Sequence, residues 1–245
     1  MDAAGFYDAL AAHFHLIHAD WDASVELQGE QLDGVIQEFA PGARTVLDCA
    51  CGIGTQALGL AARGYAVTAS DIAAGAVDRA RTEADRRSLE IDFSIADMRD
   101  LSAFPDGSFD VVVAADNSIP HLLSDDEITR AFVEFRRCLR PGGACLVSVR
   151  DYASMPPDPI QFQPHAAHRI GDTLYSVYQV RELEGDTYVI HLHVVEHGER
   201  TTARVASTRY YAVTTERLSA LLHRAGFAEA KRLDGRYFQP VLVGR

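Results

Sequence analysis

The sequence predicts an α/β fold: a doubly wound, mostly parallel seven-stranded sheet that ends in a C-terminal antiparallel hairpin and carries an antiparallel β insertion after strand five. Three observations predict it. Between Thr45 and Asp151, continuous apolar runs alternate with helical patterns, and strands covered on both faces read as such unbroken runs. From Arg169 to Ala212 the period drops to two residues, as in antiparallel strands with one face covered. Residues 213–245 then return to a helix and two further strands.

Residues 2–20 are expected to form a helix, with Phe6, Leu10, Phe14 and Ile17 at helical spacing. "DWDASVELQGEQLDGVIQEF" is a second, capped by Asp22 or Ser24 and stopped at "PGAR". "RTVLDCA", "YAVTASD", "LEIDFSIAD", "FPDGSFDVVVAADN" and "ACLVSVRD" supply five strands, with helices at Thr55–Arg63, Ala74–Arg87 and "SDDEITRAFVEFRRCL". Ser124 caps the last of these and "RPGG" ends it. "SMPPDP" is a loop. "TLYSVYQVREL", "TYVIHLHVVEH" and "RVASTRYYAV" follow as strands joined at "EGD" and "HGER". "TTERLSALLHRAG" is a helix, and "FAEAKRLDG" with "YFQPVLVGR" makes the closing hairpin. Four segments result: a helical lid over 1–40, a cofactor-binding core over 41–152, the insertion over 153–212, and completion of the core over 213–245. The insertion either covers the substrate or pairs with a second copy to make a homo-oligomer.

Composition narrows the function. The 245 residues suit one sizeable domain with a decoration, and 47% hydrophobic residues supply its core. A net charge of −12 and the lack of a basic, aromatic-interleaved stretch argue against nucleic acid. No apolar run approaches the ~20 residues of a membrane span, and "MDAAGFYDAL" lacks a signal pattern, so a cytoplasmic protein is expected. Cys49, Cys51, Cys138 and Cys145 form no CxxC pair and read as reduced core thiols. The only lysine is Lys231, so "CGIGTQ" is not a phosphate-binding P-loop, and a pyridoxal Schiff base has no suitable lysine.

The chemistry centres on "TVLDCACGIGTQALGLAARGYAVTASDIA". Gly52-x-Gly54-x-x-Ala57 follows a strand and opens a helix, and Asp71 ends the next strand, which is the loose fingerprint of a site for an adenosine cofactor. A nicotinamide-dependent oxidoreductase shares it. Four features tell against that reading. Asp48 places a carboxylate inside the first strand, better matched by a cationic amino group than by a pyrophosphate. Asp97 ends strand three beside Met98, placed to accept from an adenine amine; "LRPGG" leads tightly into strand five; and the last two strands pair at the sheet edge.

With these in order, the sequence resembles the class I S-adenosylmethionine-dependent methyltransferases, whose Rossmann-like sheet it shares over roughly Thr45 to Asp151. The resemblance implies that S-adenosylmethionine binds through the backbone of Ala50, Gly52 and Gly54, with Asp71 on the ribose hydroxyls and Asp48, Ile72, Asp97 and Met98 also in contact. "DNSIPHLL" and "VRDY", with "STRYY" and "YFQP", look like the glycine N-methyltransferase and glycine–sarcosine branch. That likeness implies that Asn117 and Arg150 hold the acceptor, that His121 and the Ala115 backbone touch the cofactor, and that Tyr210 or Tyr211 stands at the pocket mouth. Asp116 replaces the branch's glycine, and Gln28 and Gln31 stand where the branch has an arginine for the cofactor carboxylate.

The expected reaction is in-line methyl transfer to a small amine or amino acid, with Asn117 and a tyrosine oxygen accepting the amine's hydrogens and no dedicated strong base. Catalytic roles fall to Asn117, Arg150, His121 and Tyr211, with His121 as general base the alternative. Tyr7 and Trp21 offer aromatic faces to the sulfonium, or else merely pack their helices. His191, His193 and His197 share a strand face, but His197 lies about 13 Å beyond His193, so no metal site is expected. An O- or N-methyltransferase tailoring a natural product is the main alternative, and an NAD(P)-dependent oxidoreductase the distant one.

Overall fold

The computed structural model describes residues 2–156 and 158–245. Helices α1 (Ala3–Leu10) and α2 (Trp21–Phe39) precede an alternating run of β1 (Thr45–Asp48), α3 (Thr55–Ala61), β2 (Ala66–Asp71), α4 (Ala74–Arg86), β3 (Ile91–Ile95), β4 (Phe109–Ala114), α5 (Asp125–Cys138) and β5 (Leu139–Ser148). The insertion holds β6 (Ile160–Ile170), β7 (Thr173–Glu184), β8 (Thr187–His197) and β9 (Thr201–Tyr211), and the chain closes with α6 (Thr215–Arg224), β10 (Ala230–Leu233) and β11 (Val241–Gly244). The main sheet runs β10-β11-β5-β4-β1-β2-β3, parallel from β3 to β5, with β11 antiparallel to both β5 and β10. Chain direction across the sheet reverses between β1 and β4, which opens a crevice at the carboxyl ends of those strands.

Val46, Leu47 and Asp48 are all buried, because helices cover both faces of β1. Leu32, Ile36 and Leu60 pack on one face; Phe132, Phe135 and Leu222 pack on the other. Each contributes roughly 1.5–3 kcal/mol by leaving water. α2 lies directly against α3, since a Cβ on Gly59 would sit 2.4 Å from the Val25 carbonyl oxygen. A third cluster joins Phe6, Leu10 and Leu16 to Tyr188, Ile190 and Leu192, pressing the N-terminal segment onto the four-stranded sheet β6-β7-β8-β9.

The structure departs from the sequence expectations at four places. The first helix stops at Leu10, and Phe14–Ile17 forms a separate 3-10 turn. On one straight helix Leu10 and Leu16 would point about 120° apart; the break puts both in the third cluster. The cap of α2 is Asp20, whose carboxylate accepts from the Ala23 N–H at 3.0 Å, rather than Asp22 or Ser24. β5 begins at Leu139, so "RPGG" lies within an irregular strand rather than a turn before it, with a register shift opposite Phe109 and Val111. Finally, β6 is a full strand. Pro164 and the bulge beside it hide the two-residue period, as an edge strand permits.

Candidate active site

The turn after β1 reaches α3 through Gly52 (φ +52°) and Gly54 (φ +96°), both left-handed. They are glycine for different reasons. A Cβ on Gly52 would meet nothing within 4 Å, because it faces a cavity of about 410 Å³. A Cβ on Gly54 would lie 3.2 Å from Ala80 and 3.3 Å from Leu58. Gly54 therefore lets helices meet beneath the turn and does not line the cavity, contrary to the sequence expectation. Ala50 and Gly52 do line it.

Asp71 ties the turn to the next crossover. Its Oδ2 accepts from the Gly52 N–H at 2.8 Å and its Oδ1 from the Ala73 N–H at 2.9 Å. Burial raises its pKa, and these N–H groups oppose the rise. A carboxylate offers about four lone-pair sites, so each oxygen keeps room for one hydroxyl of a diol. Ile72, Asp97 and Met98 line the rim. Burial pushes the Asp97 carboxyl up, but Arg99, bonded at 2.9 and 3.0 Å, outweighs it and holds the pKa down. Asp48 lies beneath the floor rather than on it; burial raises its pKa to about 7, and its Oδ2 has no partner among the described residues.

The opposite wall is built around a buried polar knot. Asp116 and Asn117, after β4, both have left-handed backbones, at φ +52° and +65°. Such residues cost about 1–3 kcal/mol each, and hydrogen bonds hold them. The Asp116 N–H donates to Ser148 Oγ at 2.7 Å and the Asn117 N–H to the Ser148 carbonyl at 2.9 Å. Asn117 Oδ1 accepts from the Arg150 N–H (3.0 Å) and the Tyr152 hydroxyl (2.8 Å), while its Nδ2 donates to Tyr188 (3.3 Å). Tyr188 therefore donates to Tyr152 at 2.7 Å and accepts from Arg150 Nη1 at 2.9 Å. The Asn117 oxygen and both tyrosine hydroxyls are thereby satisfied. Asn117 is 1% exposed and off the cavity wall, so the expectation that it takes the acceptor's hydrogens is corrected: it holds Arg150 instead. Arg150 lines the cavity over the Tyr210 ring (5.8 Å), has no carboxylate partner among the described residues, and keeps most of its N–H donors free.

His121 stands between two tyrosines, with Nε2 3.1 Å from the Tyr7 hydroxyl and its ring 4.0 Å from that of Tyr210. Burial first, and the Arg150 charge second, lower its pKa to about 3. Burial likewise keeps the Tyr7 hydroxyl protonated. Tyr7, Ala115, Asp116, His121, Arg150 and Tyr210 share the one cavity. Tyr211 does not. Strand alternation turns it to the other face of β9, where its hydroxyl donates to Asp125 at 3.2 Å. Trp21 is also outside: its Nε1 donates to Thr55 Oγ1 at 2.9 Å, with Arg79 and Arg87 over its ring. It packs helices rather than covering a ligand.

Tyr152, Tyr188, Gln179 and His165 escaped the sequence reading. Alternation places Tyr188, Ile190 and Leu192 on one face of β8, but the partners of the Tyr188 hydroxyl are 36, 38 and 71 residues away in the chain. His191, His193 and His197 each have a separate neighbour: Ser207 at 2.7 Å, the Tyr178 ring at 4.6 Å and Ser176 at 2.9 Å.

An adenosylated amino acid fits these residues. Gly52 leaves a cradle that a Cβ would fill, Asp71 has lone pairs left for a diol, and the hydroxyl of Ser118 and Nδ1 of His121, on lining residues, lack partners among the described residues. Comparison with known proteins agrees. Residues 46–143 match a family described as a methyltransferase domain. A glycine/sarcosine N-methyltransferase of Parasynechococcus marenigrum is 32% identical over 133 residues, 54% of this chain and 46% of that protein. The chain spans about half the length of the curated relatives it matches. In structure it is similar to DesVI of Streptomyces venezuelae, with a TM-score of 0.81 at 19% identity over 100% of this chain and 98% of that one. It is also similar to the sugar N-methyltransferase KedS8 from Streptoalloteichus, with a TM-score of 0.74 at 21% identity over 90% and 87%.

Proposed function

We propose that this chain, whose residues 46–143 match a methyltransferase-domain family and which has the class I S-adenosylmethionine-dependent fold, N-methylates a small amine that carries an anionic group. S-adenosylmethionine is the cofactor; bound, it supplies a methyl group activated on a sulfonium. Ala50, Gly52, Asp71, Ile72, Asp97 and Met98 would hold it. The observation that carries the acceptor reading is Arg150: a guanidinium facing the cavity, fixed by Tyr188 and unpaired with any carboxylate of the described residues. Such a fork suits a carboxylate or phosphate. Asp116, on the same cavity, supplies the opposite charge for an ammonium.

An aliphatic amine arrives protonated, and using it neutral at pH 7 costs about 4 kcal/mol for a pKa near 10. The wall of Tyr7, His121 and Tyr210 keeps water out and stays neutral, so it adds no charge that would hold the ammonium. Arg150 lowers the His121 pKa, and the same field favours the neutral form of a neighbouring amine. His121, with a pKa of about 3, is a hydrogen-bond partner and orienter rather than a strong base.

Two acceptor classes compete. The Arg150–Asp116 pair and the likeness to glycine/sarcosine N-methyltransferases support an amino acid. The apolar stretch of roof at Ile190 and Leu192, together with the likeness in fold to a sugar N-methyltransferase, supports a larger natural-product amine. Calorimetry with S-adenosylhomocysteine, then labelled methyl transfer to glycine, sarcosine, other amino acids and amino sugars, tests the reading. Binding with transfer to an anionic amine is expected. Binding with transfer only to amines lacking an anionic group would refute the Arg150 assignment.

A further inference from the structure

Arg150 is not the only unpaired arginine near the cavity. Among the described residues, Arg63, Arg150 and Arg181 are partly covered and lack a carboxylate partner, and Arg63 instead donates to the Gly59 carbonyl at 3.3 Å. Arg181, on β7, pairs in register with Ile190 of β8, which pairs with Thr208 of β9. Directly paired residues share a sheet face, and Ile190 and Thr208 line the cavity. Gln179, two residues before Arg181 and so on the same face, lines it too.

The surroundings of Arg181 are amides. It donates to Gln163 Oε1, and once the Gln179 amide is turned so that its oxygen faces Arg181, that oxygen lies 2.6 and 2.7 Å from the guanidinium nitrogens. His165, another lining residue, meets the Gln179 nitrogen at 3.3 Å in that orientation. Burial, followed by repulsion from Arg150, lowers the Arg181 pKa. Arg181 lies beside the lining residue Gln179 rather than on the lining itself, and neither it nor Arg150 is ion-paired among the described residues, so the two guanidiniums together favour negative charge at this end of the cavity.

We propose that Arg181 is a specificity residue: beyond the group taken by Arg150, the acceptor carries further anionic oxygens, on a phosphate or a second carboxylate, that Arg181 holds. This rests on the reading of Arg150 as the acceptor clamp. It places recognition of the second group on the insertion, with Gln163, Gln179 and His165 setting the direction of the guanidinium.

The test is calorimetry on protein saturated with S-adenosylhomocysteine, using alanine, aspartate, glutamate and O-phosphoserine as probes. The wild type is expected to bind O-phosphoserine or the dicarboxylic amino acids at least about tenfold more tightly than alanine, as one added charge-assisted contact warrants. Whichever of the two is preferred identifies the phosphate or the carboxylate. Arg181→Gln should erase the preference while S-adenosylhomocysteine still titrates. Should that variant fail to fold, Arg181→Lys, which keeps the charge and loses the fork, should reduce the preference. Equal binding of all four probes by the wild type, or an unchanged preference in the variants, overturns the inference. If none of the probes binds although S-adenosylhomocysteine does, the clamp reading fails first and the inference with it.

Discussion

The floor and the roof of the cavity are built by opposite means. The floor comes from contiguous chain: Gly52 and Asp71 lie 19 residues apart and are joined by one crossover, and backbone N–H groups do the holding. The roof comes from distant chain: Asn117, Arg150, Tyr152 and Tyr188 meet mainly through their side chains, with one backbone N–H, that of Arg150, joining in, across separations of up to 71 residues. A floor made of backbone tolerates changes in neighbouring side chains. A roof made of side chains can be re-specified one residue at a time, which suits a wall that chooses the acceptor.

The largest effect separating the two belongs to the floor. Asp71→Ala should weaken S-adenosylhomocysteine binding about 100-fold, since it frees two buried N–H groups and removes the diol acceptor, worth about 3 kcal/mol together. Calorimetry reads this directly, and a change under threefold would mean the turn holds itself. On the roof, Tyr188→Phe should raise the acceptor KM about tenfold, near the 1.5 kcal/mol of one hydrogen bond to a charged group, and leave cofactor affinity alone. A fall in kcat with KM unchanged would instead place Tyr188 among groups touching the reaction.

Asp48 sharpens the comparison through pH. Its folded pKa, about 7, is raised above the unfolded carboxylate value. The neutral form is favoured in the fold, so its contribution is complete below the unfolded pKa and is lost as pH rises through 7. Asp48→Asn should therefore stabilise the protein by roughly 2–3 kcal/mol more at pH 8 than at pH 5. Thermal melts at the two pH values check this, and equal shifts would show that the carboxylate is ionised in a partnered state.

The pH–rate profile probes the roof in the same way. With the His121 pKa about 3, kcat/KM should rise smoothly with the deprotonation of the acceptor amine and show no step near 6.5. A step near 6.5 that His121→Gln removes would make His121 a base. The smallest effect is expected outside the cavity. Trp21→Phe loses one hydrogen bond to Thr55, about 1 kcal/mol of stability, with cofactor affinity changed less than twofold; a larger loss of affinity would return Trp21 to a lid.

The same division explains what was legible in the sequence. Strand–glycine–helix order and the acid closing β2 are local signals, so the seven-stranded sheet and the floor residues Ala50, Gly52 and Asp71 could be read directly. Gly54 was placed on the wrong side because spacing cannot tell a glycine facing a ligand from one facing Ala80. The sequence marks Asn117 but not its role: its Oδ1 is filled by Arg150 and Tyr152, which only tertiary structure reveals. Tyr210 and Tyr211 differ by one residue, and hence by a whole sheet face. β6 was missed because Pro164 and its bulge break the two-residue period.

In the proposed reading Arg150 holds the acceptor and the floor holds the cofactor. Arg150→Met tests it most directly, with calorimetry for S-adenosylhomocysteine and labelled methyl transfer measured on the same preparation. Cofactor affinity is expected within threefold of wild type and transfer to an anionic amine down about 100-fold, as loss of a bidentate charged contact implies. Transfer at the wild-type rate, or loss of S-adenosylhomocysteine binding, would contradict it.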